Sequence, residues 1–237
     1  MKRETEIQAE IQAEVGKELA RISLAIGSIR LQPDAPFRWA SGYRMPIYND
    51  NRMLLASPEH RQLVAGAFED LMLQTGMAFD LIAGTATAGI PHATSLADRL
   101  ELPLAYVRAD SKGHGMGNRI EGVSGEAALS GKMVLLVEDL ISTGGSSIAA
   151  VQALREAGAQ VPVCLAIFSY GLEKARRAFD ALDPPCRCIP ILEYDDLISI
   201  ALGDGSIDSV EEARLREWRE APFEWGSRYG FPPEGAK

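Results

Sequence analysis

The sequence predicts an α/β fold, a central mostly parallel sheet flanked by helices, with a small N-terminal hood and a flexible loop. Three observations lead there. Short apolar runs at residues 80–84, 104–108, 133–137, 161–168 and 188–192 read as strands buried on both faces. Segments of helical length at 90–100, 145–157 and 173–182 alternate with them, the pattern of parallel strands joined by crossover helices. The run VLLVEDLISTGGSS, residues 134–147, then places two carboxylates at a strand end, before a loop of hydroxyls and glycine that enters a helix.

Each element has a local reason. Ile7, Ile11, Val15, Leu19, Ile22 and Ile26 share one helical face, so a helix is expected over 5–29, ended by Pro33 and Pro36. It packs on the domain or on a partner subunit. Residues 37–50 hold short extended pieces around Ser41-Gly42, a hairpin or hood. Ser57 is an expected N-cap with Pro58 at the first helical position, starting a helix that runs to about Thr75. Residues 109–125 are long, polar and glycine-rich. Gly158 is an expected cap of the 145–157 helix. The chain is expected to be helical again to about Arg219 and to end in a loose tail. The division is 1–36 for the helix and hood entry, 37–205 for the main domain, and 206–237 for the C-terminal helix and tail.

Composition bounds the function. The 237 residues carry 24 Lys and Arg against 33 Asp and Glu, a net charge of −9, which argues against nucleic-acid or anionic-membrane partners. Any anionic ligand must meet a local basic cluster. No apolar run approaches a membrane span, and MKRETEIQAE lacks the apolar core of a signal peptide, so a cytoplasmic protein is expected. Of the three cysteines, Cys164 is expected in the core, while Cys186 and Cys188 form a lone C-x-C with no nearby His. Reduced thiols fit better than a zinc site.

Four segments carry the chemistry. Glu138 and Asp139 sit where open α/β sheets bind ligands, and Ser142, Thr143, Gly144, Gly145, Ser146 and Ser147 offer N–H groups, hydroxyls and a helix N-terminus to an anion. A phosphate nest beside paired carboxylates suits a sugar phosphate. Arg108, Lys112, His114 and Arg119 fall within twelve positions, spaced by Gly113, Gly115 and Gly117, as in a lid that closes on an anion. The turn Ala83-Gly84-Thr85-Ala86-Thr87-Ala88-Gly89 lets backbone approach a ligand but lacks the spacing and Lys of a P-loop. The aromatic and basic stretch 37–50, with Arg44 and Tyr48, is an ordinary hairpin or a pocket for a planar base.

Together these segments resemble the type I phosphoribosyltransferases, and within them the orotate phosphoribosyltransferases. VLLVEDLISTGGSS matches the phosphoribosyl-pyrophosphate (PRPP) motif of the whole fold family; FRWASGYRMPIYNDNR, AGTATAGIPHA and VRADSKGHGMGNRIEG point to orotate. The resemblance implies that Arg108, Lys112 and His114 meet the pyrophosphate, with Lys112, His114 and Asp139 in catalytic roles. It implies that Glu138 and Asp139 hold the ribose hydroxyls. Leu140, Ile141, Ser142, Thr143, Gly144, Gly145 and Ser146 would complete the PRPP site, and Ser142, Arg44 and Tyr48 would meet orotate. It further implies Mg2+ carried by PRPP, with Glu138 and Asp139 reaching it through waters. It implies a homodimer whose lid crosses to the neighbouring site. The chain departs from many members at Ala40, Ala88 and Ala109, where they carry basic residues. Residues 169–172, Ser-Tyr-Gly-Leu, lack the arginine that many members place there against the orotate carboxylate. Alternatives are transfer to another base, or a PRPP-sensing regulator with the same fold.

Overall fold

The computed structural model describes residues 2–39, 41–109, 119–124 and 128–233, with side chains from residue 13 onward. The chain opens with helix α1 (Lys2–Ala25). It ends earlier than its apolar spacing suggests, because Gly27 takes a left-handed turn (φ 72°) before the prolines are reached. Ile29 therefore belongs to strand β1 (Ile29–Leu31), not to the helix. Leu19 and Ala20 of α1 are fully buried, so this helix packs on its own domain.

The hood follows. Strand β2 (Phe37–Arg38) pairs antiparallel with β3 (Arg44–Met45), and β1 pairs antiparallel with β4 (Ile47–Asn49). A 3-10 helix, Asn51–Ala56, leads to α2 (Pro58–Gln74), whose first turn is capped by the Ser57 hydroxyl accepting from the His60 N–H.

The main sheet comprises β5 (Leu81–Thr85), β6 (Leu104–Val107), β7 (Ile120–Glu121), β8 (Met133–Ile141), β9 (Gln160–Ser169) and β10 (Arg187–Glu193). Their order is β10-β9-β8-β5-β6-β7, parallel except for β7, which returns antiparallel on β6. The two-residue β7 is too short to carry a periodic signal and was not expected. Helices α3 (Gly89–Leu100), α4 (Gly145–Glu156) and α5 (Glu173–Asp180) make the crossovers, and α6 (Tyr194–Gly203) follows β10. Gly158 (φ 91°) ends α4 with a paired N–H to Arg155 O (2.9 Å) and Ala159 N–H to Leu154 O (3.0 Å).

Residues of β8 alternate between two cores. Leu135 and Val137 join the larger one with α1, α2, α3 and the hood; Val134 and Leu136 join the smaller one with α4 and α5. That two-sided burial is why the run is continuously apolar.

The C-terminal region corrects the expectation of a loose tail. Helix α7 (Ser209–Glu220) is followed by α8 (Pro222–Arg228), and Trp218 and Trp225 are both buried. Trp218 Nε1 reaches Met45 Sδ at 3.0 Å, and Trp225 Nε1 donates to Arg214 O at 2.9 Å. Apolar burial of two indoles gives the tail a fixed place against the hood.

Candidate active site at the end of the central strand

The site forms because β8 outlasts its neighbour. Pairing with β5 stops at Gly84↔Val137, whereas pairing with β9 continues through Glu138↔Ala166, Leu140↔Phe168 and Ile141↔Ser169. Strand β8 was expected to end near Val137; the longer β9 supplies the ladder that carries it to Ile141. Beyond Val137 one edge of β8 faces the turn in which β5 gives way to α3. The chain proceeds from β5 to one side through β6 and to the other through β8 and β9, so this gap is the topological switch point of the sheet.

The turn is built for close approach. A Cβ on Gly89 would lie 2.6 Å from Val137 O and 3.4 Å from Glu138 Cα. The Thr85 hydroxyl donates to Val137 O at 3.3 Å, and the Ala86–Thr87 peptide is cis. Small side chains here bring the N-terminus of α3 against the backbone of Glu138.

Glu138 is 4% exposed. The hydroxyls of Ser147 (3.0 Å) and Ser146 (3.3 Å) donate to its Oε2, and the Asp139 N–H donates to Oε1 at 3.1 Å. Burial, then the adjacent Asp139 carboxyl, pushes its pKa up to about 8. Burial also raises Asp139, and a hydrogen bond from Glu138 works against that rise, so the pair holds a proton between them. Ser147, expected in the anion-binding loop, is instead fully buried and turns its hydroxyl to Glu138.

Residues 142–144 form the loop. Gly144 adopts φ 81° and, among the described residues, no side chain caps the first turn of α4. Gly145 and Ser146 are exposed, while Leu140 and Ile141 remain ladder residues of β8 with Ile141 buried. Helix α3 likewise begins without a side-chain cap. Two helix N-termini without side-chain caps among the described residues thus converge on the end of β8, an arrangement that favours anions.

The hood closes the other side. Asn51, 1% exposed, donates from Nδ2 to Asp139 O at 2.7 Å while its Oδ1 has no partner among the described residues. Arg52 forms an ion pair with Asp50 (2.6 Å), and both lie close enough to Asp139 to act on its charge. Sequence reasoning missed Asn51; its role depends on a partner 88 positions away. Tyr48 packs 5.7 Å from the Phe37 ring, with the Arg30 guanidinium 4.7 Å above it. Its hydroxyl helps hold the Asp50 carboxyl low, after the dominant hydrogen bond from Arg52. The Cβ of Arg44 lies against α8, where a Cβ on Gly226 would meet it at 3.3 Å.

At the β6 edge, Arg108 stands at the same end of the sheet. Its N–H donates to Arg119 O at 2.8 Å, and its Nη1 lies 3.5 Å from Glu121. These contacts fasten the base of the expected lid. Lys112 and His114 lie outside the described residues, as does Ala40.

The cysteines are free, with Cys164 and Cys186 buried and Cys188 half-buried. Among the described residues no group of three or more His, Cys, Asp or Glu side chains is placed to hold a metal ion, and no helix is long and apolar enough to cross a membrane.

Comparison with known proteins agrees with this geometry. The phosphoribosyl transferase domain family matches residues 50–193. The chain is 50% identical over 210 residues to the orotate phosphoribosyltransferase of Bacillus caldolyticus, covering 89% of this chain and 98% of that one. Among solved structures, the orotate phosphoribosyltransferase from Aeropyrum pernix superposes with a TM-score of 0.64 at 27% identity, over 80% of this chain and 99% of that one. The UMP synthase of Leishmania donovani gives a TM-score of 0.69 at 27% identity, over 86% of this chain but 42% of that longer protein. With a switch-point crevice, two helix N-termini beside adjacent carboxyls, and half of 210 aligned residues identical to a relative matched over 98% of its length, the chain belongs to the orotate phosphoribosyltransferase family.

Proposed function

We propose that the chain transfers the 5-phosphoribosyl group of PRPP to orotate, giving orotidine 5'-monophosphate and pyrophosphate in pyrimidine biosynthesis. One observation carries the reading: the open N-terminus of α4 lies beside the Glu138–Asp139 pair where β8 outlasts β5. It is the shape needed to hold a phosphate and the hydroxyls of the same sugar.

In this reading Ser142, Thr143, Gly144, Gly145 and Ser146 cradle the 5-phosphate with N–H groups and hydroxyls, and Glu138 and Asp139 accept from the ribose hydroxyls. Arg108, with Lys112 and His114 of the lid, faces the pyrophosphate. As the C1–O bond loosens, the ribose gains positive charge and the pyrophosphate negative charge, which these cations stabilise. Glu138 and Asp139 keep the ribose ring oriented while it flattens. Orotate already carries an anionic group, so its ring nitrogen attacks the opposite face of C1 without a strong protein base. Ser142, Arg44 and Tyr48 border the acceptor. Catalysis is positioning, electrostatics and exclusion of water by the lid.

The residues fit Mg2+ carried by the substrate. The hard carboxylate oxygens of Glu138 and Asp139 suit Mg2+ and would reach it through waters while PRPP carries it. When bound, the ion supplies charge neutralisation on the pyrophosphate oxygens. A homodimer that shares its lids and a cytoplasmic location belong to the same proposal; the three free cysteines accord with a reducing compartment.

The test is loss of orotate absorbance with PRPP and Mg2+, each omitted in turn, beside a panel of other bases. Turnover only with all three components supports the reading. Turnover of another base in preference to orotate, or none, overturns it. Sedimentation of the active protein as a monomer would overturn the shared lid.

A further inference from the structure

The acceptor in this reaction carries a carboxylate, and a carboxylate taken from water into a closed site needs a cation. The turn that leaves β9, residues 169–172, supplies none of its own. The fold brings one to it from 48 positions further along: Arg219 of α7 lays its guanidinium on Gly171, with Nη2 3.5 Å from Gly171 O.

The seat is specific. A Cβ on residue 171 would stand 3.1 Å from Arg219 Nη2 and 3.4 Å from Nε, so the guanidinium lies directly on this turn, and the φ of 62° favours glycine there. Asp195 Oδ2 holds one edge of the guanidinium at 3.2 Å, while Nε is buried and has no partner among the described residues. A buried N–H left unpaired is rare in a packed protein.

The turn also lies at the right end of the sheet. The Tyr170 N–H donates to Ile141 O at 3.0 Å, and Ile141 is the residue before Ser142, so Gly171 runs beside the start of the phosphate loop. On the hood side, Trp39 packs 5.6 Å from Tyr170 and 6.3 Å from Trp218, and Tyr48 is close enough to Tyr170 to act on its titration. Trp218 thus locks α7 against the hood and delivers the next residue to the acceptor side.

We propose that Arg219 is the specificity-determining cation for the acceptor carboxylate. The inference rests on the function proposed above, and the experiment separates the two. Orotidine 5'-monophosphate and uridine 5'-monophosphate differ only in that carboxylate, and both are held by the phosphate loop. Their dissociation constants are measured by calorimetry on the unmodified protein and on Arg219→Gln, Arg219→Lys and Arg44→Gln, each checked by thermal melting.

The unmodified protein is expected to prefer orotidine 5'-monophosphate by about tenfold or more, the range of a charge-assisted pair. Arg219→Gln brings the two affinities within about threefold of each other by weakening only the carboxylated nucleotide, and raises the KM for orotate while leaving that for PRPP unchanged. Arg219→Lys, which keeps the charge and the fold, retains part of the preference. An unchanged ratio in Arg219→Gln, equal weakening of both nucleotides, or loss of the preference in Arg44→Gln instead would overturn the assignment. Failure of the unmodified protein to turn over orotate would strike the proposed function itself, before any variant is made.

Discussion

Replacing Glu138 by Gln tests the electrostatics of the site at its centre. The substitution keeps the shape and mimics the protonated carboxyl, which at neutral pH is the prevailing form because the pKa lies at about 8. The unfolded chain ionises this group near 4.5. Between those values the native state binds one proton more than the unfolded state, so Glu138 destabilises the substrate-free protein progressively as pH rises. The contribution is fully favourable below 4.5 and is lost on approach to 8. Over the interval from about pH 5.5 to 7, one proton at about 1.4 kcal/mol per pH unit amounts to about 2 kcal/mol. Urea unfolding of both proteins at several pH values should therefore give stability curves that diverge by about 2 kcal/mol across that interval, with Glu138→Gln the flatter. Groups outside the Glu138–Asp139 pair titrate alike in both proteins and cancel. Parallel curves would refute the buried, proton-holding state of Glu138.

Other expectations follow from single contacts. Lys112→Ala should lower turnover by about a hundredfold or more with little change in melting temperature, read by steady-state kinetics and calorimetry; near-normal turnover would sink the lid assignment. Gly89→Ala drives a Cβ to 2.6 Å from the Val137 carbonyl oxygen, a backbone atom that cannot swing away, and should cost about 1–3 kcal/mol in chemical denaturation. Asn51→Leu leaves Asp139 O without its 2.7 Å donor and should cost about 1–3 kcal/mol, with the KM for PRPP rising more than that for orotate. Trp225→Ala empties a site that is 1% exposed and should cost about 3–5 kcal/mol, where a loose tail would show no change.

Much of this architecture is legible in the residues because its causes are local. Ser57 and Pro58 announce α2 by cap chemistry that needs no distant partner. The continuous apolar run of β8 reports burial on both faces, and the glycine and hydroxyl loop after it reports an open helix start. What the residues conceal is set at a distance. The extra reach of β8 depends on the length of β9, and the places of α7 and α8 depend on the hood, where Trp218 of α7 meets Met45 and Gly226 of α8 lies against Arg44. Asn51 looks like any polar residue after a strand until the fold sets it beneath Asp139. Arg219 sits in a helix whose sequence advertises solvent, and only the third dimension carries it to the end of β9.

The covering of the hood by α7 and α8 also sets an order of assembly. Met45 meets Trp218 across 173 positions, and Arg214 meets Asp34 across 180. Sheet pairings between β5, β6 and β8 close much shorter loops and need nothing from the C-terminal helices. During synthesis the donor half of the crevice can therefore take shape while the hood still waits for residues not yet made. The acceptor half is completed last, so a chain interrupted before α7 would present exposed hood aromatics to its surroundings, a species prone to aggregate and not a partly active enzyme.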